Sequence, residues 1–224
     1  MNMKRKGFTL VELLVVIGIL AILSSFIYPA IRRAMIRGKI AQTKANIMSL
    51  TTAIKGYHQD FNAYPDFYNA SGDATAIGRP ETANHLVMRL LTGRYLDGNT
   101  WEEDATITTS KRWNGPYISL NETEAYKIGN DLAQSGNGFD DGYSSVTNRA
   151  AYVDGWKNNG KETYYIFKFP DPQDNSKPLP LFNRDSFDIY SVGPDGKGSY
   201  YKYSNPTAYN NDETNKDNVT NWGK

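Results

Sequence analysis

The sequence predicts an α+β fold: one long N-terminal helix packed on a small antiparallel β-sheet, followed by a long C-terminal loop. Three observations predict it. A run of 25 residues with a single charge (7–31) opens the chain, an apolar repeat of helical period carries on to about residue 61, and aromatic-rich segments that alternate like strands occupy the second half.

In the first run the only charge is Glu12, and basic residues flank both ends: Lys4-Arg5-Lys6 before it and Arg32-Arg33 after it. As a helix at about 1.5 Å per residue it measures roughly 37 Å, enough to cross a hydrocarbon core of ~30 Å. A charged side chain at a helix centre costs about 2.5 to 3.5 kcal/mol on insertion scales, so Glu12 needs a partner or a role. A cleaved secretory signal would show an apolar run of about 7 to 15 residues and a small-residue cleavage site. This run is longer and contains Glu12. A plain anchor explains the length but leaves Gly7-Phe8 and Glu12 without a purpose, and a buried helix of a soluble domain fits the length poorly. Because both flanks are basic, charge bias does not set the orientation.

Beyond the run, Ile36, Ile40, Thr43, Ile47, Leu50, Ile54, Tyr57 and Phe61 recur at three- and four-residue steps, with Lys39, Gln42, Lys44, Asn46, Thr51 and Lys55 on the other face. The helix is therefore expected to continue to about Asn62 and to stop before Tyr64-Pro65, since a residue preceding proline disfavours the helical region. Its apolar stripe must pack on the C-terminal domain. Pro29 lacks the N–H that would bond residue 25, so a kink or local melting is expected there.

Residues 66–111 read as a connecting segment with one short helix at 81–92, whose Leu86, Leu90 and Leu91 form an apolar face. Trp113-Asn114-Gly115-Pro116-Tyr117-Ile118 sets a Gly-Pro break among aromatics. Residues 129–162, rich in Gly, Asn, Asp and Ser, read as irregular. The stretches 163–169 and 187–192 read as strands.

Composition excludes several classes. The 224 residues contain no Cys, which removes disulfides, cysteine zinc sites and thiol catalysis together. A formal net charge of +1 gives no footprint for nucleic acid. The segment from Gly155 to Glu162 imitates a phosphate loop until Glu162 stands where the magnesium-binding Ser or Thr belongs. His58 and His85 have no second histidine at ligand spacing, and Asp140-Asp141-Gly142 reads as a turn. No enzyme is expected. Roughly 190 residues beyond the span are enough for one domain with its own core.

The string Lys4-Arg5-Lys6-Gly7-Phe8-Thr9-Leu10-Val11-Glu12 closely resembles the leader of type IV pilins and of type II secretion pseudopilins. The resemblance implies that 1–7 is a leader, that a prepilin peptidase cuts after Gly7, and that Phe8 becomes the N-methylated first residue. Residues 8–31 would then be the transmembrane and filament-core helix, 32–64 its amphipathic continuation and 65–224 a periplasmic domain. Glu12 sits where the family carboxylate pairs with the new amino terminus of a neighbouring subunit, a pairing that offsets the desolvation of both charges. Pro29 matches the proline after which family filaments show a melted stretch.

Two distal segments, Phe187-Asp188-Ile189-Tyr190-Ser191-Val192-Gly193-Pro194-Asp195-Gly196 and Asp217-Asn218-Val219-Thr220-Asn221-Trp222, are similar to the C-terminal signature of the major pseudopilin, and the Trp113–Tyr117 element resembles its Trp-Gly-Pro-Tyr with Asn114 inserted. That subgroup holds calcium in the loop between the two segments. The resemblance implies a calcium loop at 192–222, with carbonyls of Val192 and Pro194, the carboxylates of Asp195 and Asp217 and the Val219 carbonyl as ligands, and Asp212 as a further candidate. Such oxygens suit a hard cation that takes six to eight of them. The loop departs from the pattern in its length, in Tyr200, Tyr201 and Tyr203, and in placing Asn218 where an acid is expected. The implied protein is a non-enzymatic subunit of a type II secretion pseudopilus. It would be anchored in the bacterial inner membrane by a single span, then polymerise with itself and other pseudopilins on an inner-membrane assembly platform driven by a cytoplasmic ATPase. The alternatives are a type IV pilus subunit and a membrane-anchored periplasmic binding or enzymatic domain.

Overall fold

A computed structural model describes residues 8–65, 80–97, 100–119, 125–128, 149–158, 161–170, 180–197 and 205–222. The chain divides into two compact units, one up to Ala41 and one from Gln42 onward. Helix α1 (Leu10–Phe61) begins in the first and ends in the second. It is the one helix among the described residues long and apolar enough to cross a membrane.

In the first unit the apolar side chains stand uncovered: Phe8, Leu10, Phe26 and Tyr28 are each more than 70% exposed. Such a surface in a single chain needs lipid or other protein around it. The helix runs through Pro29 without a break, so the single chain shows no local melting there. The proline removes only one donor, the one that would bond the Ser25 carbonyl, while the Ser25 hydroxyl turns back to the Ile22 carbonyl at 2.7 Å.

The second unit contains the last third of α1, where Thr43, Ile47, Leu50, Ala53, Ile54 and Tyr57 are buried. These follow the expected stripe from Thr43 onward, with Ala53 added. Asn62 ends the helix at a φ of +54°, and Asn is among the residues that tolerate this left-handed conformation.

Helix α2 (Pro80–Thr92) follows and starts on its proline, where the missing N–H costs nothing. Asn84, Val87, Met88 and Leu91 are buried on it; of the three leucines expected there, Leu91 is buried, Leu90 is half-buried and the side chain of Leu86 lies outside the described residues. The segment after it is not the plain connection that composition suggested. Strands β1 (Arg94–Asp97) and β2 (Thr100–Glu103) form an antiparallel hairpin, and a one-turn helix α3 (Ala105–Thr108) is capped by Asp104. Arg89 pairs with the buried Asp104 and so ties this hairpin to α2.

The Trp113–Tyr117 element docks on both helices. The indole N–H of Trp113 donates to the Leu90 carbonyl at 3.2 Å, the backbone N–H of Tyr117 to the Leu91 carbonyl at 2.8 Å, and the Tyr117 hydroxyl to Asp60 Oδ2 at 2.6 Å. Burial, reinforced by that hydrogen bond, pushes the Tyr117 phenol up to about 12.

Strands β3 (Ala125–Ile128), β4 (Arg149–Asn158) and β5 (Lys161–Tyr164) make one antiparallel sheet. Strands β6 (Ile166–Lys168), β7 (Asp188–Ser191) and β8 (Val219–Thr220) make another. The expectation of irregular structure over 129–162 is therefore corrected for 149–158 and 161–162, while 129–148 and 159–160 lie outside the described residues. Composition misled because the polar residues sit in a bulge: between Val153 and Lys157 the register against β5 shifts, and Gly155 takes a φ of +79°. The phosphate-loop imitation thus falls on a hairpin rather than on a strand leading into a helix. Asp140-Asp141-Gly142 lies outside the described residues.

The run 163–169, expected as one strand, is two. Tyr165 interrupts it, so β5 pairs with β4 and β6 with β7. Fully buried Asn84 fills the gap: its Nδ2 donates to the carbonyls of Tyr152 (2.9 Å) and Tyr165 (2.8 Å), and its Oδ1 accepts from Tyr152 N–H at 2.7 Å. One side chain thus bonds three backbone groups at the junction, where the Tyr165 N–H also donates to the Tyr152 carbonyl at 3.3 Å.

Two outcomes are expected. Asn84→Leu should destabilise the protein by about 3 kcal/mol in chemical unfolding, because three hydrogen bonds to buried backbone groups are lost. The phenol of Tyr117 titrates higher folded than unfolded, so its contribution is complete below about pH 10 and is lost as pH rises to about 12. The stability margin of wild type over Tyr117→Phe should be constant from pH 6 to 9 and close between pH 10 and 12.

Candidate functional site

The first candidate is the start of α1. Phe8 is exposed ahead of the helix, and Gly7 lies outside the described residues. The Thr9 backbone N–H and hydroxyl donate to Glu12 Oε2 at 2.8 and 2.7 Å, and the Glu12 N–H donates back to Thr9 Oγ1 at 3.2 Å. This is a reciprocal capping box, with the carboxylate closing the orphan donors of the first turn. The Thr-x-x-Glu spacing was readable in the sequence, where the family resemblance points only to a pairing with a neighbouring subunit. Within one chain the carboxylate already has hydrogen bonds.

The second candidate is the C-terminal loop, read as continuous from 192 to 222. The structure corrects that: helix α4 (Pro206–Asn211), a 3-10 turn (Glu213–Asn215) and β8 lie inside it. Asn205 caps α4 by accepting from the Ala208 N–H at 2.9 Å, with Pro206 at the first helical position. Asn-Pro is thus a helix start that the sequence reading passed over. Asp212, the further ligand candidate, caps the 3-10 turn, accepting from the Thr214 N–H and hydroxyl at 2.9 and 2.7 Å.

An aromatic cluster holds the base of this loop. Ile166, Tyr190, Val192, Tyr209 and Trp222 are buried together, with Leu181 and Phe182 packed on them, and Phe182 stacks on Trp222 at 4.3 Å between ring centres. Strand β8 has only two residues, and Asn221 extends it through its side chain. Its Oδ1 accepts from Ile189 N–H at 2.9 Å, and its Nδ2 donates to the Phe187 carbonyl at 3.0 Å.

Asp154, buried in the β4 bulge, steers the exit of β7. Its Oδ2 accepts from the Ser191 hydroxyl at 2.8 Å, its Oδ1 from the Trp156 N–H at 3.1 Å and from the Thr163 hydroxyl, and Ser191 Oγ in turn accepts from the Gly193 N–H at 3.2 Å. Burial pushes this carboxyl above the usual range against those hydrogen bonds. Nothing in the sequence motif singled out Asp154, since its partners come from three separate segments.

The loop then closes on itself. The Asp195 N–H donates to Asp217 Oδ2 at 2.9 Å, and the Lys197 N–H to Asp195 Oδ1 at 2.7 Å. Gly193 has a φ of +71°, and a Cβ there would lie 2.3 Å from the Asp217 carbonyl oxygen. Val192, Asp195 and Asp217 are thus brought together as expected, while Pro194 lies in the same turn and Val219 in β8 opposite Ser191. The sequence reading missed Lys197, whose carbonyl, together with that of Val192, faces the buried amide of Asn218 at 3.2 and 3.0 Å.

By type the two carbonyls and the two carboxylates suit a hard cation, while the Asn218 amide turns its NH2 to both carbonyls. Among the described residues no three His, Cys, Asp or Glu side chains cluster as a metal cage, so any ion would depend on those neutral oxygens.

The prokaryotic N-terminal methylation motif matches residues 2–28. The type IV major pilin protein PilA of Myxococcus xanthus (strain DK1622) is 34% identical over 89 residues. The chain is thus similar to the type IV pilins. That similarity covers 40% of this pilin-like chain and 38% of the Myxococcus protein, so the chain spans about two fifths of that relative's length. No solved structure matches.

Gly193→Ala should destabilise the protein by about 3 kcal/mol, since it adds a left-handed penalty for a non-glycine residue to a backbone clash. Chemical unfolding measures the loss, and an effect within 0.5 kcal/mol would mean that the loop does not sit on Asp217.

Proposed function

We propose that this pilin-like chain is a structural subunit of a type II secretion pseudopilus, anchored by residues 8–31 in the inner membrane with its C-terminal domain in the periplasm. A prepilin peptidase would release residues 1–7, and subunits would then polymerise through the exposed apolar face of α1, with Glu12 passing from its own Thr9 to the methylated terminus of a neighbour. The growing filament would move exported proteins outward, and the chain itself catalyses nothing.

The observation that carries this reading is the joining of the two distal motif segments: β7 and β8 pair, and the loop they enclose is held by Asp195, Asp217 and Asn218. In this reading the loop holds calcium, ligated by Val192, Asp195 and Asp217, with Lys197 as an additional oxygen. Calcium would act by rigidifying a subunit under load, and at a hundred times its dissociation constant it would add about 2.7 kcal/mol.

A second reading, subunit of a surface type IV pilus, is supported by the similarity to the Myxococcus pilin. The two are separated by deleting the gene in its native host. Under the first reading, exported proteins accumulate in the periplasm while surface filaments persist. Wild type restores export, and Glu12→Ala is processed to methylated Phe8 yet restores nothing. Loss of surface filaments with intact export would establish the second reading instead, and an unprocessed Met1 or Asn2 terminus would remove both.

A further inference from the structure

We propose that Arg32, Arg33, Arg37 and Lys39 form a binding face for the headgroups of anionic phospholipid, on the side of the membrane where α1 emerges. The inference rests on the reading of residues 8–31 as a membrane span and goes beyond it, since an apolar span alone does not choose among headgroups.

Between Glu12 and Asp60 the chain has no acidic residue and six basic ones. Four of the six crowd into the eight residues that follow the apolar stretch, and all four are exposed. Arg32, Arg33 and Arg37 make no ion pair with any described residue. Their charge is left for something outside the chain.

The stretch 10–31 of α1 is about 33 Å long at 1.5 Å per residue, which accounts for a hydrocarbon core of ~30 Å. The headgroup layer adds about 5 to 7 Å on each side. Arg32 and Arg33 start inside that layer, while Arg37 and Lys39 rise to roughly 9 and 12 Å above Ile31, about one Debye length. The Cα–Cβ bonds of an α-helix tilt toward its N-terminus, so side chains just beyond the C-terminal end of a span lean back over the membrane. Long basic side chains extend that reach, and all four charges come to phosphate level.

Arg33 and Arg37 are one turn apart and Arg32 and Lys39 two turns apart, so the four share about half of the helix circumference. Ala34, Met35, Gly38 and Ala41 make up the other half. Three of the four bases are arginines, whose planar fork takes a phosphate through two parallel hydrogen bonds. Charge alone would also suit an acidic protein surface. Position favours lipid, because the cluster begins on the first residue after the apolar stretch, where phosphate is the first anion that a membrane-held subunit meets. A zwitterionic headgroup brings its own cation, so the face prefers a headgroup with net negative charge, of the phosphatidylglycerol kind.

The test places the full-length protein in phosphatidylcholine vesicles with a trace of spin-labelled phosphatidylglycerol or phosphatidylcholine, and electron paramagnetic resonance measures the fraction of each label held at the protein. Wild type should favour phosphatidylglycerol by about fivefold in low salt, falling below about twofold in roughly 1 M NaCl. Arg32→Gln/Arg33→Gln should lose most of the preference. Lys44→Gln/Lys55→Gln, which removes the same charge from the second unit, should keep it. No preference in wild type, a preference that salt leaves intact, or equal loss in the two double variants overturns the proposal. So does a preference that Arg32→Gln/Arg33→Gln leaves whole, which would belong to Lys4-Arg5-Lys6 at the other end of the span; if that variant instead loses chemically crosslinked dimers, the face meets the acids of a second copy. Release of wild type from the vesicles by sodium carbonate would remove the span itself, and the proposed anchoring with it.

Discussion

The change of sheet at Tyr165 is the constraint on which the rest of the second unit depends. Strand β5 belongs with β4, and β6 with β7, so a single tyrosine carries the chain from one sheet to the next. A strand that leaves a ladder exposes backbone groups, and in a buried position each would cost about 1 to 3 kcal/mol if unpaired. Asn84 removes that cost from the face of α2, which fixes the helix against the junction. The burial of Val87, Met88 and Leu91 follows from the same placement. Asp154 does the equivalent service one residue pair away, joining the bulge in β4 to Thr163 and Ser191. Two polar side chains at core positions thereby specify which strand pairs with which, a job that apolar packing alone does less selectively.

The elements written in local patterns were legible from sequence: the long helix, its stripe from Thr43 to Tyr57, the strand at β7, the short second helix and the proline-limited end of α1. These obey periodicity or single-residue backbone rules. Long-range arrangement was not legible. The run 163–169 alternates as cleanly as a continuous strand, and the interruption at Tyr165 comes from an asparagine 81 residues away. The hairpin β1–β2 is too short to build a period. Residues 149–162 look like a loop because the bulge concentrates Gly and Asp where a strand would be apolar. On α2, apolarity points to the leucines as the inner face, and Leu91 is buried there; the burial of Asn84 was not legible, because its partners Tyr152 and Tyr165 lie in distant segments.

The candidate site divides the same way. The approach of Asp195 to Asp217 followed from the family resemblance. The approach of the Lys197 carbonyl to Asn218 did not, because a backbone carbonyl leaves no mark on residue type. Asp154 did not, because its role is to hold Ser191, which holds Gly193, and such a relay exists only in three dimensions. Asn221 is an intermediate case: the sequence marks it as part of a motif, and only the structure shows it completing a strand two residues long.

The capping box at Thr9 and Glu12 alters what it means for a subunit to wait. A carboxylate with both a backbone and a hydroxyl donor is solvated by its own chain, so a solitary copy of this helix carries its own shelter for the charge into the apolar phase. Under the proposed assembly, joining a neighbour would be an exchange of partners rather than the rescue of a stranded ion.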